Sequence, residues 1–171
     1  MSPEPDWSAV VITASNRAAT GVYADSSGPV LAEELRGAGY SVTGPWVVPD
    51  GPPVTSALER ALAASTELVL TTGGTGLSPT DATPEATRAV LTYEIPGIPE
   101  ALRAAGSAGG VPSAVLSRGV AGVAERDGHR MLIVNLPGSR GGVTDGMAVL
   151  TPILTHALAQ LRGVDHPRSA S

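Results

Sequence analysis

Leu68-Val69-Leu70 runs directly into Thr71-Thr72-Gly73-Gly74-Thr75-Gly76, and Ser78-Pro79-Thr80-Asp81 follows after Leu77. A short apolar run that ends in clustered glycines predicts a buried strand whose carboxyl end opens into a tight turn. Glycines take positive φ at little steric cost and let a ligand approach main-chain N–H groups. Threonine hydroxyls add donors, so the turn reads as an anion-binding loop with a carboxylate, Asp81, on its far side. It is not a Walker A loop, which needs a lysine after its last glycine, and it lacks the G-x-G-x-x-G spacing.

What precedes the loop defines the sheet around it. Trp7 to Ala14 is apolar and β-branched, a first strand. Ser27-Gly28-Pro29 starts a helix that runs to about Ala38 and stops at Gly39. Ser41 to Val48 is a second strand, and Pro45 inside it predicts an edge position. Val54, Leu58, Ala61 and Leu62 recur at helical spacing before the strand Glu67 to Thr71. Strands alternating with helices imply a parallel sheet with helical crossovers.

Beyond the loop, Thr83-Pro84-Glu85 opens a short helix with Thr83 as N-cap, and another begins near Pro99. Pro112 to Arg118 and Gly119 to Ala124 read as strands, and Asp127-Gly128 makes a tight hairpin into Arg130 to Leu136. A last helix is expected from Thr151 or Pro152, with Ile153, Leu154, Ala157, Leu158 and Leu161 on one face. The predicted fold is α/β: a single three-layer domain over residues 7–163, with a mostly parallel mixed β-sheet flanked by helices. Polar, proline-punctuated tails are expected at residues 1–6 and 164–171.

Composition then limits the chemistry. With 42% hydrophobic residues in 171, the chain can build a proper core, but aromatics are only 3% and Phe is absent, so Val, Leu, Ile and Ala must supply it. A net charge of -5 without any basic cluster argues against nucleic acid and against an anionic membrane surface as partners. Neither a charged-then-apolar leader nor a transmembrane-length run is seen, so a cytoplasmic soluble protein is expected. The absence of cysteine excludes disulfides, zinc-thiolate sites and thiol catalysis. All eleven basic residues are arginine, which excludes a Schiff-base lysine and a lysine phosphate clamp. His129, His156 and His166 are not at metal-ligand spacing. What is left is carboxylates, hydroxyls, arginines, backbone amides and a bound metal ion, a set suited to phosphoryl or nucleotidyl transfer.

In an open α/β sheet, ligands sit beyond the carboxyl ends of the strands. Four such ends carry polar or glycine-rich groups: Ser15-Asn16-Arg17, Asp50, Thr72 to Asp81 including Thr80, and Pro137-Gly138-Ser139. Asp50 and Asp81 are the acids placed in these turns, and two convergent carboxylates suit Mg²⁺, which prefers oxygen ligands and substrate phosphates. Each has a plain structural alternative, Asp50 as a turn residue bonding its own backbone and Asp81 as a cap before Thr83. Arg17 and Arg118 are the candidate phosphate forks.

Taken in order, these motifs resemble the molybdopterin adenylyltransferase family of molybdenum cofactor biosynthesis, the Mog/MoaB type. The matching pieces are Ser15-Asn16-Arg17 with Gly21-Val22-Tyr23 and Asp25, Pro49-Asp50, Thr71 to Gly76 with Asp81 and Thr83-Pro84-Glu85, Leu116-Ser117-Arg118, and Asn135-Leu136-Pro137-Gly138-Ser139. The resemblance implies Mg²⁺-dependent transfer of AMP from ATP to the terminal phosphate of molybdopterin, releasing pyrophosphate. It implies that Asp50 and Asp81 organise the metal and determine activity, and that Thr72, Gly73, Gly74, Thr75, Gly76 and Thr80 cradle phosphates or pterin. Ser15, Arg17, Ser117, Arg118, Pro137, Gly138 and Ser139 would line the pocket. A homotrimer, and hand-over of the product to a molybdenum insertase, are implied as well. Three other readings stay open: a molybdopterin-binding scaffold without activity, the related domain of insertases and competence-damage proteins, and a generic nucleotide-binding module.

Overall fold

Every residue of β1 (Ser8–Ala14) after Ser8, all of β3 (Leu68–Thr72), and the last six residues of β6 (His129–Leu136) are buried. Strands buried on both faces require cover on both faces, and the two cores divide along them by parity. Ala9 and Val11 of β1, Leu68 and Leu70 of β3, and Leu132 and Val134 of β6 face one core. Val10, Ile12, Val69, Met131 and Ile133 face the other. The first core is closed by α2 (Ser27–Gly37), α5 (Gly97–Ala108) and α6 (Arg140–Leu161), the second by α3 (Pro52–Ala63) and α4 (Thr83–Arg88). Each fully buried Leu or Ile in these layers contributes about 2 kcal/mol of transfer free energy. The computed structural model describes residues 6–164, so the expected tails fall outside it except for Asp6 and Val164, as does His166.

The sheet has six strands in the order β2-β1-β3-β6-β5-β4, with β2 (Ser41–Val48), β4 (Tyr93–Glu94) and β5 (Ala121–Arg126) completing it. β2, β1, β3 and β6 pair in parallel, while β5 is antiparallel to both of its neighbours. The single three-layer domain with a mixed, mostly parallel sheet is the predicted one. β2 is an edge strand, as Pro45 requires, and the cis Gly44-Pro45 peptide lies where its register against β1 shifts by one residue. The hairpin between β5 and β6 turns on Asp127 (φ 52°) and Gly128 (φ 81°), the positive-φ pair of a type I′ turn. No helix among the described residues is long and apolar enough to cross a membrane.

Three expectations need correction. Pro112 to Arg118 is not a strand but a 3-10 turn, Pro112–Leu116, closed by Ala114 N to Val111 O and Ser117 N to Ala114 O. Its leading proline and sparse β-branched content favour a turn over a ladder. The last helix starts at Arg140, not Thr151, and carries Pro152 in its interior. Three glycines disguised its first turns, yet Val143, Met147, Leu150, Leu154 and Leu158 form one buried stripe. Gly146 is packing rather than loop, since a Cβ there would lie 2.6 Å from Leu136 Cδ2. Thr83 is the first residue of α4, not its cap, because its hydroxyl is committed to Gly73 O at 2.9 Å. The four-residue α1 (Asn16–Ala19) and the two-residue β4 are elements that the pattern did not suggest.

Candidate active site

Register brings the strand ends together. Thr13 of β1 stands opposite Thr72 of β3, and Thr72 opposite Leu136 of β6, so the next residues of all three strands emerge in one row. Ser15 N donates to Val48 O at 3.0 Å, which draws the end of β2, and Asp50 just beyond it, to the same place. Gly73 (φ 94°) and Gly74 (φ 68°) make the turn that lets these ends meet. A Cβ on Gly73 would run into Ala14 O, and one on Gly74 would meet Thr83 and lie 2.5 Å from Asp50 Oδ1. The approach these glycines permit is therefore made first by the protein's own atoms.

Above the row lies a polar cleft of about 660 Å³. Of the residues expected from sequence, Ser15, Arg17, Asp50, Thr72, Gly73, Gly74, Thr80, Asp81 and Gly138 line it. Pro137 and Ser139 instead line a neighbouring, mainly apolar cavity of about 290 Å³ between α5, the 3-10 turn and α6, so the Pro137-Gly138-Ser139 turn divides the two spaces. Thr75, Gly76, Ser117 and Arg118 line neither of them. The hydroxyls are largely engaged already. Ser15 Oγ accepts from Ala18 N at 3.2 Å and caps α1, Ser139 Oγ accepts from Gly142 N at 3.0 Å and caps α6, and Thr72 Oγ1 donates to Pro137 O at 2.7 Å.

The acids differ in what surrounds them. Asp50 Oδ2 accepts from Asn16 N at 3.3 Å, and Asp50 N donates to Asn16 Oδ1 at 3.0 Å. Its Oδ1 is buried without a hydrogen-bond partner. Burial pushes the Asp50 carboxyl above the usual carboxylate range; the Asn16 N–H opposes this and the charge of Asp81 adds to it. Asp81 Oδ2 accepts from Ser78 N at 3.2 Å. Asp25, present among the motif residues but not foreseen as part of the site, also lines the cleft. It accepts from Thr13 Oγ1 at 2.8 Å and from Gly28 N at 3.0 Å. The sequence signal for it was an aspartate three residues before a helix-starting glycine, a capping spacing. Thr13, Asn16, Tyr23, Ser26, Ser27 and Ser78 complete the polar lining.

Arg17, whose guanidinium carbon lies 5.5 Å from the centroid of the Tyr23 ring, is, among the described residues, the one cationic side chain lining the cleft, against the carboxylates of Asp25, Asp50 and Asp81. A polyphosphate entering this surplus of negative charge must bring a cation with it. Asp50 and Asp81 suit a hard divalent ion, because the partnerless buried Oδ1 is an oxygen donor with nothing else to bind. Among the described residues no group of three or more His, Cys, Asp or Glu is placed to hold a metal, so remaining ligands would come from substrate and water. Arg118, expected as a phosphate fork, commits its guanidinium to Gly76 O and Asp81 O, both at 2.9 Å, and to Glu85. Beneath the loop, Asn135 Nδ2 donates to Thr71 Oγ1 at 2.9 Å and Thr87 Oγ1 at 3.0 Å, while its Oδ1 accepts from Val120 N at 3.1 Å.

Residues 10–156 match the family model described as a probable molybdopterin binding domain. A molybdenum cofactor biosynthesis bifunctional protein of Synechococcus elongatus is 40% identical over 163 residues, 92% of this chain, and the chain spans only 48% of that protein's length. A molybdopterin adenylyltransferase of Pyrococcus furiosus is 32% identical over 152 residues, 89% of either chain. Among solved structures, the molybdopterin biosynthesis Mog protein of Mycobacterium ulcerans superposes with a TM-score of 0.85 at 50% identity, covering 93% of this chain and 99% of that one. By domain, sequence and fold, the chain belongs to the molybdopterin-binding-domain family of molybdenum cofactor biosynthesis proteins, of the Mog/MoaB type.

Proposed function

We propose that the chain is a molybdopterin adenylyltransferase, moving AMP from Mg-ATP to the terminal phosphate of molybdopterin. The observation that carries this reading is the partnerless buried oxygen of Asp50, which shares a phosphate-sized cleft and an electrostatic coupling with Asp81. A cleft that served only to hold a finished cofactor would gain nothing from a buried carboxylate oxygen without a hydrogen-bond partner. In the reaction, an oxygen of the molybdopterin phosphate attacks the α-phosphorus of ATP, the bond to the bridging oxygen breaks, and pyrophosphate leaves with its electrons. Mg²⁺, when bound, draws charge from the phosphate oxygens and lowers the barrier to this displacement.

The chain's own residues do the positioning. Asp50 and Asp81 would hold the metal, Asp50 placed by the row of strand ends and Asp81 at the close of the loop that follows Gly76. Arg17, free of any ion pair among the described residues and steadied by Tyr23, meets phosphate charge at the cleft mouth. Thr80 and the main chain around Gly73 and Gly74 offer further contacts, and the apolar cavity beyond Gly138 accepts a flat ring system. Hand-over of the product to a molybdenum insertase, which the family resemblance implies, belongs to the same proposal. The test is release of pyrophosphate that depends on molybdopterin and is abolished by EDTA. Tight molybdopterin binding without any pyrophosphate would replace this reading with that of a carrier.

A further inference from the structure

Residues 77–80 form an exposed arc between Gly76 and Asp81, with Leu77 65% exposed. The arc's own hydrogen bonds are local. Ser78 N donates to Asp81 Oδ2 at 3.2 Å, Asp81 N donates to Ser78 O at 2.9 Å, and the hydroxyls of Ser78 and Thr80 lie 3.2 Å apart. None of these fixes the arc, or the Asp81 carboxylate that closes it, to the rest of the molecule. That tie is made by Arg118. Its Nε donates to Gly76 O and its Nη2 to Asp81 O, each at 2.9 Å, so one planar group spans both ends of the arc. Nη1 is paired with Glu85 on α4, and the main-chain N–H of Arg118 donates to Thr75 O at 2.8 Å.

We propose that Arg118, oriented by Glu85, is a positioning residue that sets where Asp81 stands relative to Asp50 and so builds the metal-holding pair. The proposal rests on the reading of those two acids given above. The Arg118 side chain is 34% exposed and that of Glu85 56%, so as an ion pair they contribute little to stability. Their value is geometric. A guanidinium holds its donors in a fixed fork, so the carbonyls of Gly76 and Asp81 are kept at one separation and in one plane. An ammonium has donors enough for both carbonyls but no rigid fork to fix their separation or common plane. Cα geometry at Asp81 then follows the strap, as second-layer contacts orient the ligands of metal sites in general.

The test compares wild type, Arg118→Lys and Glu85→Gln, each checked for folding by circular dichroism. Amide hydrogen exchange of residues 77–81, read without metal or substrate, is expected to be about tenfold faster in Arg118→Lys and to rise less in Glu85→Gln. Mn²⁺ affinity, read by the loss of the free-ion electron paramagnetic resonance signal, is expected to fall about tenfold in Arg118→Lys. Its kcat per folded molecule should fall while KM for molybdopterin holds. Wild-type exchange rates and Mn²⁺ affinity in Arg118→Lys would overturn the strap whatever the activity. Should Arg118→Lys fail to fold, Glu85→Gln decides alone: unchanged exchange overturns the proposal. A wild-type chain that does not bind Mn²⁺ overturns the metal reading instead, and the exchange comparison still decides the strap.

Discussion

Asp50 is in an environment that works against stability. Burial holds its carboxyl above the usual carboxylate range, so folding disfavours the ionised form relative to the unfolded chain. The sign follows from linkage: the cost is present at neutral pH, where both states are ionised, and fades as pH falls and both take up the proton. Asp50→Asn is therefore expected to raise Tm modestly at pH 7, with the gain shrinking towards acid, while adenylyl transfer is lost. Thermal melts of both proteins across pH check this, and a lower Tm at neutral pH would contradict it. Asp81→Asn should fold normally and lose about 100-fold in kcat, since it removes charge with little change in volume. Both acids were legible because each follows a strand end in a turn. Asp25 was less so, because its capping bonds to Thr13 and Gly28 form only once β1 and α2 are in place. Arg118 was visible as a residue but not in its task. Only the three-dimensional path of the 76–81 arc reveals that its donors face carbonyl oxygens rather than the cleft.

Among the elements, the glycine loop is supported from below by Asn135, 2% exposed, which joins β3, α4 and the start of β5 through Thr71, Thr87 and Val120. Cutting it back leaves buried donors and acceptors unpaired, each costing more than the hydrogen bond was worth. Asn135→Ala is expected to cost about 3 kcal/mol, lowering Tm by about 6–12 °C for a chain of this size. A loss under about 1 kcal/mol in urea titration would mean that water replaces the network. Most elements could be read from sequence, because apolar β-branched runs in the strands, the proline start of α2 and helical spacing in α3 are local signals. The exceptions share a cause. In α6, Pro152 and three glycines set a local preference against helix, which the buried stripe from Val143 to Leu158 overrides through packing. At Thr83, the capping preference yields to a bond with Gly73 O that exists only after the loop has folded back.

At the scale of the whole molecule, apolar side chains remain on the surface, Val115, Leu116, Tyr93 and Ile153 among them, each at least 40% exposed. The family resemblance pointed to a homotrimer, and a closed ring is an ordinary way to cover such faces. Light scattering should give three times the 17.1 kDa chain mass at micromolar concentration, and a monomer throughout that range would remove the trimer. The separation into a polar cleft with three carboxylates and an adjoining apolar cavity gives the chain room for a charged reaction centre beside a flat ring. That arrangement is what the proposed chemistry asks for, and one measurement tests it most directly. Purified chain is incubated with molybdopterin, Mg²⁺ and ATP labelled either at the α-phosphorus or at the γ-phosphorus, and the pterin product is isolated. Adenylyl transfer puts label in the pterin from α-labelled ATP alone, with γ label recovered as pyrophosphate; γ label in the pterin, or label from neither, would rule it out.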